Sequence, residues 1–125
     1  MSKKKILLVD DEPALTRMLR LNLEQTGRFE VREENRGTNA LRAAREFLPD
    51  LIFLDVMMPD VGGDEVAEQL KQDPQLCRIK YAFLTAIVTK RETGKGAAQI
   101  SGETFLAKPV KRDELLAVVD ELLGE

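Results

Sequence analysis

The chain contains no histidine. That excludes Ser-His-Asp and Cys-His catalysis, His-ligated metal centres and any phosphohistidine carried by this chain. It contains one cysteine, Cys77, so neither an intrachain disulfide nor a Cys-rich zinc site can form. A lone thiol fits a reducing compartment, and a cytoplasmic setting is expected. Long apolar runs are also missing. The unbroken stretches 6–9 and 51–54 fall far short of the roughly 20 residues of a membrane span. Lys3, Lys4 and Lys5 precede the first of them, but Asp10 ends it too early for a signal-peptide core. Basic residues are not in excess: 19 Lys and Arg stand against 22 Asp and Glu, a net charge of −3, which argues against direct nucleic-acid binding. No internal repeat or low-complexity segment is present.

What remains is a chain of 125 residues, 43% apolar and 33% charged, which fits one globular domain spanning 1–125. Short apolar runs alternate with segments of helical period. Residues 6–9 and 51–54 are apolar throughout, as strands buried on both faces of a parallel sheet are. Phe29, Val31 and Glu33 alternate with Glu30 and Arg32, the pattern of a more exposed edge strand. Residues 79–84 and 104–106 supply two further strands. Pro13 opens a helix whose apolar stripe is Leu15, Met18, Leu19 and Leu23, with Gly27 placed to cap it. Thr38 caps a second helix, which Pro49 stops. Val66, Ala67 and Leu70 mark a third. Leu115, Val118, Val119, Leu122 and Leu123 mark the last, followed by Gly124. The alternation βαβαβαβαβα calls for a doubly wound α/β fold with right-handed crossovers, whose ligands bind beyond the carboxyl ends of the strands.

Those ends are polar. The first strand runs into Asp10, Asp11 and Glu12, the third into Asp55, the fourth into Thr85, and the fifth into Lys108 and Pro109. Singly, each is an ordinary turn or cap residue. If the first and third strands are neighbours, three carboxylates crowd one pocket, and their repulsion is relieved by a divalent cation. With no His or Cys nearby, oxygen ligands point to Mg²⁺, with Mn²⁺ or Ca²⁺ as alternatives. A metal, a nucleophilic carboxylate, a hydroxyl and an ammonium together suit phosphoryl transfer.

The motifs Val9-Asp10-Asp11-Glu12-Pro13, Asp55-Val56-Met57-Met58-Pro59 with Gly63 and Glu65, Thr85-Ala86, and Phe105-Leu106-Ala107-Lys108-Pro109 occur in this order along the chain. In this the chain resembles the receiver domains of bacterial two-component response regulators, including the single-domain chemotaxis type, over essentially its whole length. The resemblance implies a flavodoxin-like (βα)5 fold with a five-stranded parallel sheet in the order 2-1-3-4-5. It implies a signalling switch that catalyses only its own phosphorylation and dephosphorylation. Asp55 would be the phosphoacceptor, charged by a sensor histidine kinase or a histidine phosphotransfer protein. Asp11, Asp55 and the Met57 carbonyl would ligate Mg²⁺, and Asp10 would act through a metal-bound water. Lys108 would pair with the phosphoryl oxygens, Thr85 would donate its hydroxyl to them, and Phe105 would turn inward with Thr85. The Lys108–Pro109 peptide would be cis.

Two other readings stay open. One is a Mg²⁺-dependent phosphohydrolase with an Asp nucleophile, such as the haloacid dehalogenase family, although those carry Asp-x-Asp where Asp10 and Asp11 are adjacent here. The other is that this is the receiver part of a longer regulator or hybrid kinase. The segment 88–102 departs from the family. Gly94, Gly96 and Gly102 predict a short, broken or shifted helix there, because two interior glycines cost roughly 2 kcal/mol against alanine. In receivers the residues two past the phosphoacceptor and two past the Thr flank the path of the hydrolytic water; the resemblance puts Met57 and Ile87 there, which offer it no polar group and imply a long-lived phosphorylated state.

Overall fold

The computed structural model describes residues 3–86, 97–100 and 102–124. Among them, in chain order, run β1 (Lys4–Val9), α1 (Pro13–Glu24), β2 (Phe29–Glu34), a 3-10 turn (Gly37–Asn39), α2 (Ala40–Phe47), β3 (Leu51–Asp55), α3 (Gly63–Gln72), β4 (Lys80–Thr85), β5 (Ala97–Ile100), β6 (Glu103–Ala107) and α4 (Arg112–Leu123). The sheet order is β2-β1-β3-β4-β6-β5. Five of these strands are parallel, in the expected 2-1-3-4-5 order, and β5 adds an antiparallel edge against β6.

The central strands β1 and β3 are apolar at nearly every position because both faces are covered. Ile6, Leu8, Leu51 and Phe53 face one core with Leu19, Leu23, Leu115 and Val119 of α1 and α4. Leu7, Val9, Ile52 and Leu54 face the other, with Ala43, Ala44, Val66 and Leu70 of α2 and α3. At about 25 cal/mol per Å² of apolar area, these two layers are the main favourable contribution to folding. No helix among the described residues is long and apolar enough to cross a membrane.

Three local expectations are corrected. Met18 is 42% exposed, so it lies outside the α1 stripe. Thr16 is buried instead, its hydroxyl donating to Glu33 Oε1 at 2.7 Å. Thr38 sits in the 3-10 turn, and Asn39 precedes α2. Within the segment expected to be helical, residues 97–100 form a strand. Gly102, with φ +81°, turns the chain directly into β6, so a local hairpin replaces a crossover there. Residues 88–96 of that segment lie outside the described residues, as does Ile87.

Candidate functional site

Parallel strands deliver their ends to one edge of the sheet, and backbone hydrogen bonds fix where each end stops. Asp10 N–H donates to Glu34 O (3.1 Å), Val56 N–H to Leu84 O (3.0 Å) and Lys108 N–H to Thr85 O (2.9 Å). These bonds carry the sheet register one residue past the strands, so Asp10, Asp55, Thr85 and Lys108 converge. Gly63 brings α3 against the same edge. A Cβ at that position would collide with the backbone carbonyl of Asp55, so only glycine allows the approach.

Asp10, Asp11 and Asp55 each place a carboxylate oxygen within 4.8 Å of the others. Asp10 is fully buried and Asp55 is 4% exposed. Lys108 Nζ lies 2.8 Å from Asp10 Oδ2, 3.4 Å from Asp55 Oδ1 and 3.4 Å from Glu12 Oε1. The contact to Asp10 is an ion pair, and among the described residues Oδ2 accepts no hydrogen bond. Asp10 Oδ1 accepts the Glu12 N–H at 2.9 Å. Asp55 Oδ1 accepts the Met57 N–H at 3.3 Å.

Burial raises the Asp10 carboxyl above its usual range, against the opposing pull of Lys108. The Asp55 carboxyl is pushed up to about 6, first by burial, then by the charge of Asp10 and a side-chain hydrogen bond to Asp11. For Lys108, burial works downward, but the contacts with Asp10 and Asp55 outweigh it and hold the ammonium above its ordinary value. Among the described residues the pocket is thus short of positive charge. A buried carboxylate oxygen without a hydrogen bond, in a carboxylate-only donor set, fits a hard divalent cation.

A cavity of about 320 Å³ opens over this cluster, lined by Asp11, Glu12, Asp55, Met57, Thr85, Ala86 and Lys108. Thr85 is buried at its wall, and Met57 stands 69% exposed at its rim. Phe105 is partly buried and stacks on Phe83, with ring centroids 5.1 Å apart. The Lys108–Pro109 peptide is cis. Of the site residues expected from the sequence, Asp11, Asp55, Met57, Thr85 and Lys108 line this cavity, Asp10 lies buried directly beneath it against Lys108, and Phe105 packs instead against Phe83 on β4. Two residues near the pocket had no role from sequence. Glu12 contacts Lys108, and Asn35 Nδ2 donates to the Asp10 carbonyl (2.8 Å) and to Thr16 Oγ1 (3.0 Å). The run of three acids signalled the first; nothing in the sequence signalled the second.

A parallel sheet of this order, with a carboxylate trio, a hydroxyl and an ammonium at its strand ends, is the architecture of a phosphoryl-accepting receiver. Residues 6–120 match the response regulator receiver domain family, and the chain belongs to that family. It is 40% identical over 119 residues to the phosphate regulon transcriptional regulatory protein PhoB of Rhizobium meliloti, covering 95% of this chain and 52% of that protein. It is 31% identical over 122 residues to the polar-differentiation response regulator DivK of Brucella anthropi, covering 98% of each. The chain thus spans about half the length of the first relative and nearly all of the second. Among solved structures, the chemotaxis response regulator CheY4 of Vibrio cholerae superposes with a TM-score of 0.79 at 26% identity, over 97% of this chain and 99% of that one. Membership of this family sets aside the phosphohydrolase alternative.

Proposed function

We propose that Asp55 is the phosphoacceptor of this switch. Its carboxylate oxygen attacks the donor phosphorus, the bond from phosphorus to the leaving group breaks with its electron pair, and an acyl phosphate forms on Asp55. Lys108, already shared between Asp10 and Asp55, turns to the new phosphoryl oxygens, and the Thr85 hydroxyl donates to them. Asp10, Asp11, Asp55 and the Met57 carbonyl are the residues that would hold Mg²⁺. When bound, that ion supplies charge neutralisation for the donor and the three carboxylates. Phosphorylation adds roughly two negative charges. Lys108 and Thr85 bind them best in one arrangement of the loops, so the charge shifts a pre-existing equilibrium between surfaces. Phe105, which stacks on Phe83, is the side chain that turns inward as Thr85 moves. The donor in the cell is a sensor histidine kinase or a histidine phosphotransfer protein, and the setting is cytoplasmic. The domain comprises residues 1–125, and self-dephosphorylation is its only hydrolytic activity.

The observation that carries this reading is the convergence of Asp10, Asp11 and Asp55 on Lys108 beside Thr85 in one cavity. Intact-mass analysis after incubation with acetyl phosphate tests it. One phosphoryl group is expected on the wild type with Mg²⁺, and none with a chelator or in Asp55→Asn. Equal incorporation in wild type and Asp55→Asn overturns the assignment.

A further inference from the structure

Among the described residues, Glu12 is the one pocket carboxylate for which neither the metal cluster nor the phosphoacceptor role has a use. Its backbone is fully engaged: its N–H donates to Asp10 Oδ1, and its carbonyl accepts from Leu15 (3.1 Å) and Thr16 (3.2 Å) at the start of α1. Its side chain makes no capping hydrogen bond, although Glu12 stands at the helix N-cap. That side chain is 63% exposed, yet it reaches across the mouth of the cavity to Lys108 Nζ at 3.4 Å. A fixed backbone and, among the described residues, one side-chain contact make this a directed reach rather than a local structural tie.

Lys108 is the cation that an arriving phosphoryl group must recruit. Its ammonium is divided between two buried carboxylates and Glu12, and Glu12 alone can swing into water without stranding a buried charge. With Glu12 counted, the formal charge of the pocket among the described residues is −3: four carboxylates and one ammonium. A divalent cation leaves one negative charge unbalanced, and it sits where a donor enters.

We propose that Glu12 is a positioning residue that holds Lys108 in the resting state and repels doubly charged phosphodonors, so that it slows charging of Asp55 until it is displaced from Lys108. This rests on the reading of Asp55 as phosphoacceptor. A unit charge roughly 6 Å from a dianion in water, partly screened at physiological ionic strength, changes its local concentration by about three- to fivefold. For a monoanion the change is about twofold.

The test is the rate of phosphoryl incorporation into the full chain at saturating Mg²⁺, with acetyl phosphate (dianion) and phosphoramidate (monoanion) as donors. Wild type, Glu12→Gln and Glu12→Asp are compared. Glu12→Gln is expected to accelerate charging by acetyl phosphate about three- to fivefold and by phosphoramidate about half as much, through the donor concentration at half-maximal rate. The gain should collapse in about 1 M salt, where the screening length falls to roughly 3 Å. Glu12→Asp keeps the charge but is too short for Lys108, so it is expected to retain part of the slowing. Melting temperatures should match, since no side-chain cap is lost. Equal rates for wild type and Glu12→Gln, or a gain independent of donor charge and salt, overturn the role of Glu12 and leave Asp55 in place. If neither protein is charged by either donor, the underlying reading fails as well.

Discussion

Asp55 should cost the metal-free protein stability, and removing its charge should return it. The carboxyl is 4% exposed and is pushed from 3.8 up to about 6, by burial first and then by Asp10 and Asp11. A carboxyl whose folded-state pKa is raised binds its proton more tightly when folded. Its favourable contribution is present below about pH 4 and is lost as the pH climbs through about 6. Moving the value from 3.8 to about 6 is worth about 3 kcal/mol at 1.36 kcal/mol per pH unit. The Asp10 carboxyl is raised too, so its contribution has the same sign. Asp55→Asn keeps the shape and removes the ionisation. At pH 8 with a chelator it should gain about 2–3 kcal/mol. For 125 residues at about 2.1 cal/mol/K each, that raises the midpoint by about 8–11 °C. At pH 4.5, where the unfolded carboxyl is already mostly ionised and the folded one is not, the gain should shrink to about 1 kcal/mol, roughly a third of this. Added Mg²⁺ at about ten times its dissociation constant should raise the wild type by about 1.4 kcal/mol and narrow the gap. Differential scanning calorimetry of both proteins at both pH values reads this directly. An Asn variant that melts at or below the wild type at pH 8, or that gains equally at both pH values, refutes the electrostatic reasoning.

Gly63→Ala should destabilise by about 1–3 kcal/mol, because its Cβ would press on the Asp55 carbonyl, and should also weaken Mg²⁺ binding; urea unfolding and a Mg²⁺ titration followed by amide NMR check both, and wild-type values for the two would contradict it. Asn35→Ala removes two donors from the Asp10 carbonyl and Thr16, and should cost about 1–2 kcal/mol in the same unfolding assay. Met57→Asn combined with Ile87→Glu should speed loss of phosphate about tenfold by orienting the attacking water; an unchanged half-life at fixed Mg²⁺ would show that these side chains do not set the lifetime.

The two central strands could be read directly because burial on both faces leaves no polar residue in 6–9 or 51–54. The last helix could be read for the complementary reason: one apolar stripe, Leu115 to Leu123, and a glycine after it. Once the strands were placed, the site followed, since a parallel sheet brings Asp10, Asp55, Thr85 and Lys108 to one edge whatever lies between them. Met18 was misplaced because period alone treats every apolar residue as core, whereas Thr16 can be buried when its hydroxyl finds Glu33 and the Pro13 carbonyl. A parallel repeat demands a crossover within 88–102, and the glycines there predict only a short, broken or shifted helix. The hairpin through Gly102 is a local solution that periodicity does not reveal. The contacts of Glu12 with Lys108 and of Asn35 with Asp10 join residues 96 and 25 positions apart, which only the folded chain brings together.

The site of phosphorylation itself can be read chemically. Acyl phosphates are reduced by borohydride to the alcohol, which converts a phosphorylated aspartate to homoserine and leaves free carboxylates untouched. After charging with acetyl phosphate and Mg²⁺, reduction and peptide mapping should find homoserine at position 55, and Asp10, Asp11, Glu12 and Asp60 unchanged. Modification of any of those four in place of Asp55, or none at all in protein that has gained a phosphoryl group, would contradict the assignment of Asp55 as the acceptor.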